Sequence, residues 1–399
     1  MKSLPALFFI VVVDLLGFGI IIPLFPYMAV RLGATPEQIT PILGVYSLCQ
    51  FIAAPLWGRL SDRIGRRPVL MSSMLGASVS YLMLAYGDSI GWLIASRVLG
   101  GFMAGNISAA MAYAADVTTE EHRARGLGIV GAAIGIGFML GPALGGLLAG
   151  DHPQSASFEL PALVAAGSSV LAFLAVFLWL PESQTAEDRV RHARERGPRT
   201  AWRRVMDRPA LLMLIGAVLL VTIAHSMLES IIAIWAMDRL DLGPRRLGFF
   251  LLLMGALVVL MQGGAAGRLA RAFGEMHVAI AGVTTYLCGL ALLALADDLG
   301  LMVGGGVLCG IGLGAYLPSL SSLASKQANA GERGVVMGTY QSATSLARII
   351  GPMVSGTLYA AISFRAPFVA GIVVALPVLW LIARSQRVAA RGRAPREHG

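Results

Sequence analysis

Long apolar runs separated by short polar breaks dominate the chain, and helical spans of a bilayer are the elements they predict. A membrane core takes about 20 mainly apolar residues per helix. Windows of that size give twelve candidates, at 4–25, 40–60, 69–87, 91–115, 124–149, 158–180, 209–236, 245–267, 276–296, 299–325, 332–360 and 364–384. Two neighbouring pairs are parted only by Asp297-Asp298 and by Ser363-Phe364-Arg365. The first span has Lys2 ahead of it but no small-residue cleavage site behind it. Pro23, Pro26 and an acidic Asp14 inside it fit a retained span better than a signal peptide. The expected class is an all-α integral membrane protein of twelve transmembrane helices.

Composition narrows the alternatives. Of 399 residues, 56% are hydrophobic and 13% charged, against roughly 25% charged in a soluble domain. A water-soluble enzyme, a disordered chain, a disulfide scaffold and a collagen-like fibre are excluded. Cys49, Cys288 and Cys309 fall in apolar stretches without paired spacing, so neither a disulfide framework nor a metal site is indicated. There is no nucleophile–base constellation and no phosphate loop, and no catalytic residue is assigned.

The formal charge of +9 acquires meaning from its location. If the N-terminus, the loops after even-numbered spans and the C-terminus share one side, that side receives 24 of the 31 basic residues. The other side receives five (Arg31, Arg239, Arg245, Arg246 and Arg365), and Arg97 and Arg348 lie within spans. Basic loops stay in the cytoplasm, so both termini are expected there, in the inner membrane of a bacterial cell. The positive charge is thus a topology signal, and no nucleic-acid partner is needed to explain it.

Residues 182–208 are almost wholly polar and sit at the midpoint of the chain. They read as a cytoplasmic linker between two six-helix halves, 1–181 and 209–385, with a basic tail at 386–399. The linker is either a short amphipathic helix on the anionic leaflet or a solvated connector. The halves repeat. Gly58-Arg59-Leu60 and Gly65 return as Gly267-Arg268-Leu269 and Gly274, at an offset of 209, and Gly141-Pro142 and Gly146 return as Gly351-Pro352 and Gly356, at 210. A tandem duplication of six helices facing each other across a central path follows.

The loop Gly58-Arg59-Leu60-Ser61-Asp62-Arg63-Ile64-Gly65-Arg66-Arg67-Pro68 resembles the signature of the major facilitator superfamily, with every fixed position present. Three further segments resemble its twelve-helix drug–proton antiporters, the group that includes tetracycline and multidrug exporters. They are Asp14-Leu15-Leu16-Gly17-Phe18-Gly19 with Pro23 and Pro26, Arg97 through Gly105, and the antiporter motif around Gly137, Gly141, Pro142, Gly145 and Gly146. Two departures stand out. The second-half loop lacks the Ser-Asp and Arg-Arg-Pro elements, making the latch asymmetric. Spans eight and nine lack the ionisable residues usual in tetracycline exporters. Pro181-Glu182-Ser183 resembles a sugar-porter segment without its continuation.

The resemblance implies that Gly58, Asp62, Arg63, Gly65, Arg66, Arg67 and Asp116 form a latch that holds one state and breaks as the halves rock. A carboxylate there can cap a helix or pair with arginine, and Asp116 is the expected partner of Arg63. An ionised Asp14 inside a span is costly, so it should face a cavity, find a partner or take up a proton. A fixed cation at Arg97 beside such an acid would help it release that proton; the alternative is that Arg97 snorkels to the outer surface. The motif glycines allow close helix contact, and Pro142 should bend the fifth span. His225 and Glu229 are four apart on one helical face, able to carry protons, bind a cation or form a satisfied polar pair. Gln50, Asn106, Gln262, Tyr316, Tyr340, Gln341 and Arg348 are further candidates to line a substrate cavity.

The functional expectation is a proton-coupled secondary exporter of small amphipathic compounds, working by alternating access as a monomer. It would use Asp14, Arg97 and Glu229 for coupling and the proton gradient in place of a cofactor. The alternatives are a transporter of an endogenous metabolite (a sugar, siderophore or lipid-like molecule) and a non-transporting membrane sensor on the same fold.

Overall fold

A computed structural model describes residues 3–119, 122–184, 208–328 and 333–393, and within them the chain is all-helical. The N-terminal half contains α1 (Leu4–Ile21), α2 (Phe25–Arg31), α3 (Pro36–Ile64), α4 (Arg66–Tyr86), α5 (Ile90–Met103), α6 (Asn106–Asp116), α7 (Arg123–Ala149) and α8 (Glu159–Trp179). The C-terminal half contains α9 (Pro209–Leu240), α10 (Pro244–Leu260), α11 (Ala266–Phe273), α12 (Glu275–Leu295), α13 (Leu299–Lys326), α14 (Arg333–Ala361) and α15 (Ala366–Arg393). α1 with α2, α5 with α6 and α10 with α11 form three interrupted spans, so these fifteen segments make twelve membrane-scale helices. Most of the expected linker lies outside the described residues, and the last helix runs past residue 385 to Arg393.

Eleven of these helices are long and apolar enough to cross a membrane. The twelfth, α14, has 29 residues, or roughly 43 Å at 1.5 Å per residue, so length is not what sets it apart. Its apolar pattern is interrupted by Thr339, Tyr340, Gln341, Ser342, Thr344 and Arg348. Helices that bury polar groups away from lipid tolerate such a sequence. Large apolar side chains elsewhere point outward, among them Leu178, Leu260, Ile362 and Val373. In water that would be costly; in a bilayer it is the expected lipid-facing surface. The chain is a multi-pass membrane protein.

Local signals set the helix boundaries. Gln38 accepts a hydrogen bond from the Thr35 backbone N–H at 3.1 Å, starting α3 several residues before the expected span. Ser89 caps α5 by accepting from Trp92 N, and 209 positions later Asp298 caps α13 by accepting from Leu301 N at 2.9 Å. Gly65 (φ 105°) and Gly274 (φ 86°) occupy the same place in each repeat. A left-handed turn there lets one long helix end and the next begin at once, which explains why the repeat keeps glycine at both.

The chain divides into two compact units, Met1–Arg196 with Ile232–Gly255, and Gly197–Ile231 with Ala256–Gly399. In the first, Leu7, Ile10, Val11 and Leu15 of α1 pack with Trp57, Leu70 and Tyr113 in one apolar core. In the second, α12 and α13 approach closely enough that a Cβ on Gly282, Gly289 or Gly312 would collide with the facing backbone. Close contact through small residues is how helices associate where lipid removes the hydrophobic drive.

Candidate functional site

At the arginine-rich end of the first unit, Arg66 is 5% exposed and gathers the acidic residues. Its Nη1 donates to Asp62 Oδ1 at 2.7 Å and its Nε to Asp116 Oδ2 at 3.1 Å, and Ser61 Oγ also accepts from Nη1. The expected Arg63–Asp116 pair is therefore replaced by Arg66–Asp116. Arg63 is exposed: three residues before Arg66 and just ahead of the Gly65 turn, it falls on the outer face of α3. Glu182 closes the cluster. Its carboxylate accepts from the backbone N–H of Arg66 at 2.8 Å and of Arg67 at 3.1 Å, satisfying free donors at the start of α4. Ser183 Oγ donates to Asp116 at 3.1 Å, tying the end of the sixth span to the same site. Arg67 instead lies over the Phe177 ring. Gly58 has open space where a side chain would go, so close packing does not require glycine there.

Deeper in this unit, Asn106 Nδ2 donates to Asp14 Oδ2 at 3.1 Å, bringing together two residues expected separately. Asn106 is the only hydrogen-bond partner of the carboxylate among the described residues. A small cavity lined by Val11, Leu15, Leu70, Met74, Ile134 and Asn106 opens beside it. The fourth span breaks beside Asn106, between Met103 and Asn106. A break at membrane depth leaves carbonyls that need donors. Trp57 Nε1 supplies one to Phe102 O at 2.6 Å and Gln50 Nε2 another to Ala104 O at 3.3 Å. Gln50, expected in a cavity, thus supports the broken helix, and a Cβ at Gly105 would strike the Trp57 ring. Sequence reasoning missed Trp57; its signal was an indole amid the second span, since a buried tryptophan N–H needs an acceptor.

Arg97 is 2% exposed, which rules out snorkelling. It does not form an ion pair with Asp14. Its guanidinium lies against the rings of Phe25, at 5.0 Å, and Tyr46, at 5.6 Å, with Nε and Nη2 buried and without a hydrogen-bond partner among the described residues. Cation–π attraction to the two ring faces holds it there in place of a carboxylate.

The antiporter motif packs against the first span. A Cβ at Gly141 would stand 2.5 Å from Gly19 Cα, and one at Gly137 2.6 Å from Leu15 Cβ, while Gly145 lies against the Ile20 carbonyl. Pro142 sits inside a helix that continues through it. The opposite end of this unit includes the start of α10. Gly146 meets the Pro244 carbonyl, and Gly248 meets that of Pro142. Tyr27 Oη donates to Leu242 O at 2.7 Å, and Arg245 pairs with Asp151 at 3.1 Å.

The second unit gathers a different set. Serines of α9 hold α14: Ser226 Oγ donates to Ala347 O at 2.9 Å, and Ser230 and Ser355 share a hydrogen bond of 2.8 Å. On α9, His225 Nδ1 lies 3.4 Å from the hydroxyl of Tyr286, whose ring meets Tyr316 edge-on at 5.6 Å. Glu229 and Arg348 both act electrostatically on His225. Tyr316 and Tyr340 are buried, and the Tyr340 hydroxyl has no partner among the described residues. Gln341 is exposed, and Gln262 is exposed on the π-helical turn Met261–Ala265 that interrupts the eighth span. Tyr286 was missed because it sits in an apolar span where its only polar neighbours, Thr284 and Thr285, carry no charge. Glu275 and Lys326 form an ion pair of 2.9 Å at the arginine-rich end of this unit. Among the described residues, no group of three His, Cys, Asp or Glu side chains could hold a metal ion.

The family model described as Major Facilitator Superfamily matches residues 7–276 and 264–398. The tetracycline resistance protein of class C from Escherichia coli is 31% identical over 367 residues, spanning 90% of this chain and 91% of its own length. Major facilitator superfamily domain-containing protein 10 of Mus musculus is 27% identical, over 90% of this chain and 87% of its own. The crystal structure of the human organic anion transporter MFSD10 superposes with a TM-score of 0.69 at 25% identity, covering 96% of this chain and 99% of that one. A bacterial homolog of the human lysosomal transporter Spinster, 15% identical, shares the fold with a TM-score of 0.84 over 99% of this chain and 98% of its own.

Proposed function

The chain belongs to the major facilitator superfamily and is a membrane transporter, not an enzyme; from that premise we propose that it exports small amphipathic compounds in exchange for protons, by alternating access. The observation that carries this reading is the Asp14 carboxylate, held at membrane depth by a neutral amide beside a small apolar cavity. A charge there is costly unless it is paired or protonated. A proton is therefore the simplest ligand for Asp14, and Asn106 can serve either form, donating to the carboxylate and accepting from the acid. The break in the fourth span puts a helix interruption at that carboxylate, so protonation can be felt by the segments on both sides of it. Arg97 supplies fixed positive charge to the same unit, which favours proton release.

Asp62, Arg66 and Asp116, with Glu182 and Ser183, form the latch in this reading, at a cytoplasmic end marked by 24 basic residues. Both termini lie on that side. The antiporter-motif glycines keep the opposite end of the first unit tight while the latch is made or broken. The division into six-helix halves at 1–181 and 209–385, with a working monomer, completes the scheme. Export is favoured because the tetracycline resistance proteins are about 30% identical across most of both chains.

The test is flux in proteoliposomes under an imposed pH gradient. Efflux-directed transport of an amphipathic dye should follow the gradient and collapse with an uncoupler. Flux indifferent to the gradient overturns the proton-coupled reading.

A further inference from the structure

One wall of the second unit carries two opposite charges that nothing in that wall satisfies. Glu229 is half-buried on α9 and Arg348 is exposed on α14, both near the middle of long membrane helices. Glu229 lies one helical turn from His225 on α9, and Arg348 follows Ala347, whose carbonyl accepts from Ser226 next to that histidine. They do not pair with one another, and neither has an ion-pair or hydrogen-bond partner among the described residues. Exposed charges at membrane depth are retained where a ligand or a wet path uses them.

The imidazole near these charges is held by a tyrosine. Tyr286 engages His225 Nδ1 at 3.4 Å, which leaves Nε2 free for a ligand. Tyr286 is itself fixed by the edge-on ring of Tyr316, and both rings are almost wholly buried. The Tyr340 hydroxyl, also buried, has no hydrogen-bond partner among the described residues. The arrangement is a carboxylate, an imidazole and a guanidinium beside the packed rings of Tyr286 and Tyr316.

We infer that this wall binds an amphoteric organic molecule, with its cationic group at Glu229, its anionic group at Arg348 and a neutral polar atom between them at His225. The inference rests on the transport reading above and deepens it by naming the substrate class. The reason is electrostatic. A ligand with one charge compensates one of the two residues and desolvates the other without a partner, whereas a ligand with both charges compensates both. Tyr286 is a positioning residue in this site, because it reaches the ligand only through His225.

Three dyes on one xanthene scaffold test it: zwitterionic rhodamine B, its cationic ethyl ester and anionic fluorescein. Their binding to the full chain in nanodiscs is read by fluorescence anisotropy. Rhodamine B should bind about tenfold more tightly than either relative, a gap typical of one well-made charged contact. Arg348→Gln should erase its advantage over the cationic ester, and Glu229→Gln its advantage over fluorescein. Thermal melts establish that both variants are folded; should either fail, Arg348→Lys and Glu229→Asp, which keep the charge, must keep the ranking. Tyr286→Phe should weaken rhodamine B binding, and His225→Gln should leave no further effect of Tyr286→Phe. Equal binding of the three dyes, or variants that weaken all three alike, overturns the inference. The outcomes are separable from the coupling claim: dye ranking with gradient-independent flux defeats proton exchange alone, and gradient-driven flux without ranking defeats the amphoteric site alone.

Discussion

Lys326 Nζ stands 2.9 Å from Glu275 Oε2, and these two residues occupy the places that Asp116 and Arg66 hold in the first repeat, with the signs exchanged. Offsets of 209 and 210 residues relate them, and Asp62 likewise corresponds to Arg271. The second-half loop lacks the Ser-Asp and Arg-Arg-Pro elements, and its Glu275–Lys326 pair shows how the two loops differ: one contact stays, with its signs inverted. The repeat preserves pairing at this point while the motif letters diverge, because opposite charges attract whichever partner carries which sign; where the cation stands at the helix start, Glu182 takes the free N–H donors of α4.

The two pairs differ in burial, and that sets how much each matters. The Arg66 side chain is 7% exposed, whereas that of Lys326 is 66% exposed. Removing one partner of a buried pair costs about 3–5 kcal/mol, while an exposed pair contributes about 0–1 kcal/mol. Asp116→Asn should therefore lower the melting temperature in detergent far more than Glu275→Gln. Equal shifts would mean that burial of Arg66 does not govern the latch.

The break in the fourth span yields a second prediction. Trp57→Phe keeps an aromatic ring, although a smaller one, and leaves the Phe102 carbonyl without its donor, at a cost of about 1–3 kcal/mol. Gln50→Leu should cost less, since its bond to Ala104 is longer, at 3.3 Å. Chemical denaturation of the two variants would rank them, and the reverse order would remove Trp57 as the support of the break.

Glycine substitutions in the fifth span should divide by neighbour. Gly141→Ala forces a methyl group toward Gly19, an overpacking worth about 1–3 kcal/mol. Gly131→Ala meets nothing within 4 Å and gains helix propensity, so it should be neutral or stabilising by up to about 1 kcal/mol. Thermal melts of both, with expression level as a second readout, check the contrast.

Periodicity and charge were enough to read the twelve helices and the repeat, because apolar length and basic loops follow directly from the bilayer. They were not enough to read the interruptions. The breaks at Ala104–Gly105 and Met261–Ala265 depend on partners distant in sequence, such as Trp57, or on a glycine in an apolar run, such as Gly264. Asp14 and Asn106 were each visible as polar residues in apolar spans, but their pairing across 92 positions was not. Arg63 was chosen over Arg66 because sequence carries no information on which arginine faces inward across the Gly65 turn. Glu182 was visible, yet its role as the cap of α4 belongs to three-dimensional proximity alone.

The central claim is that Asp14 carries the proton that drives export. The most direct measurement is dye-induced proton movement in proteoliposomes loaded with a pH indicator, comparing the native chain with Asp14→Asn. Asn106 can still hydrogen-bond the amide, so the variant should fold, bind dye and exchange it across the membrane without a gradient. The account predicts that the native protein moves protons when dye is supplied and that Asp14→Asn moves none. Undiminished proton movement in Asp14→Asn would contradict it.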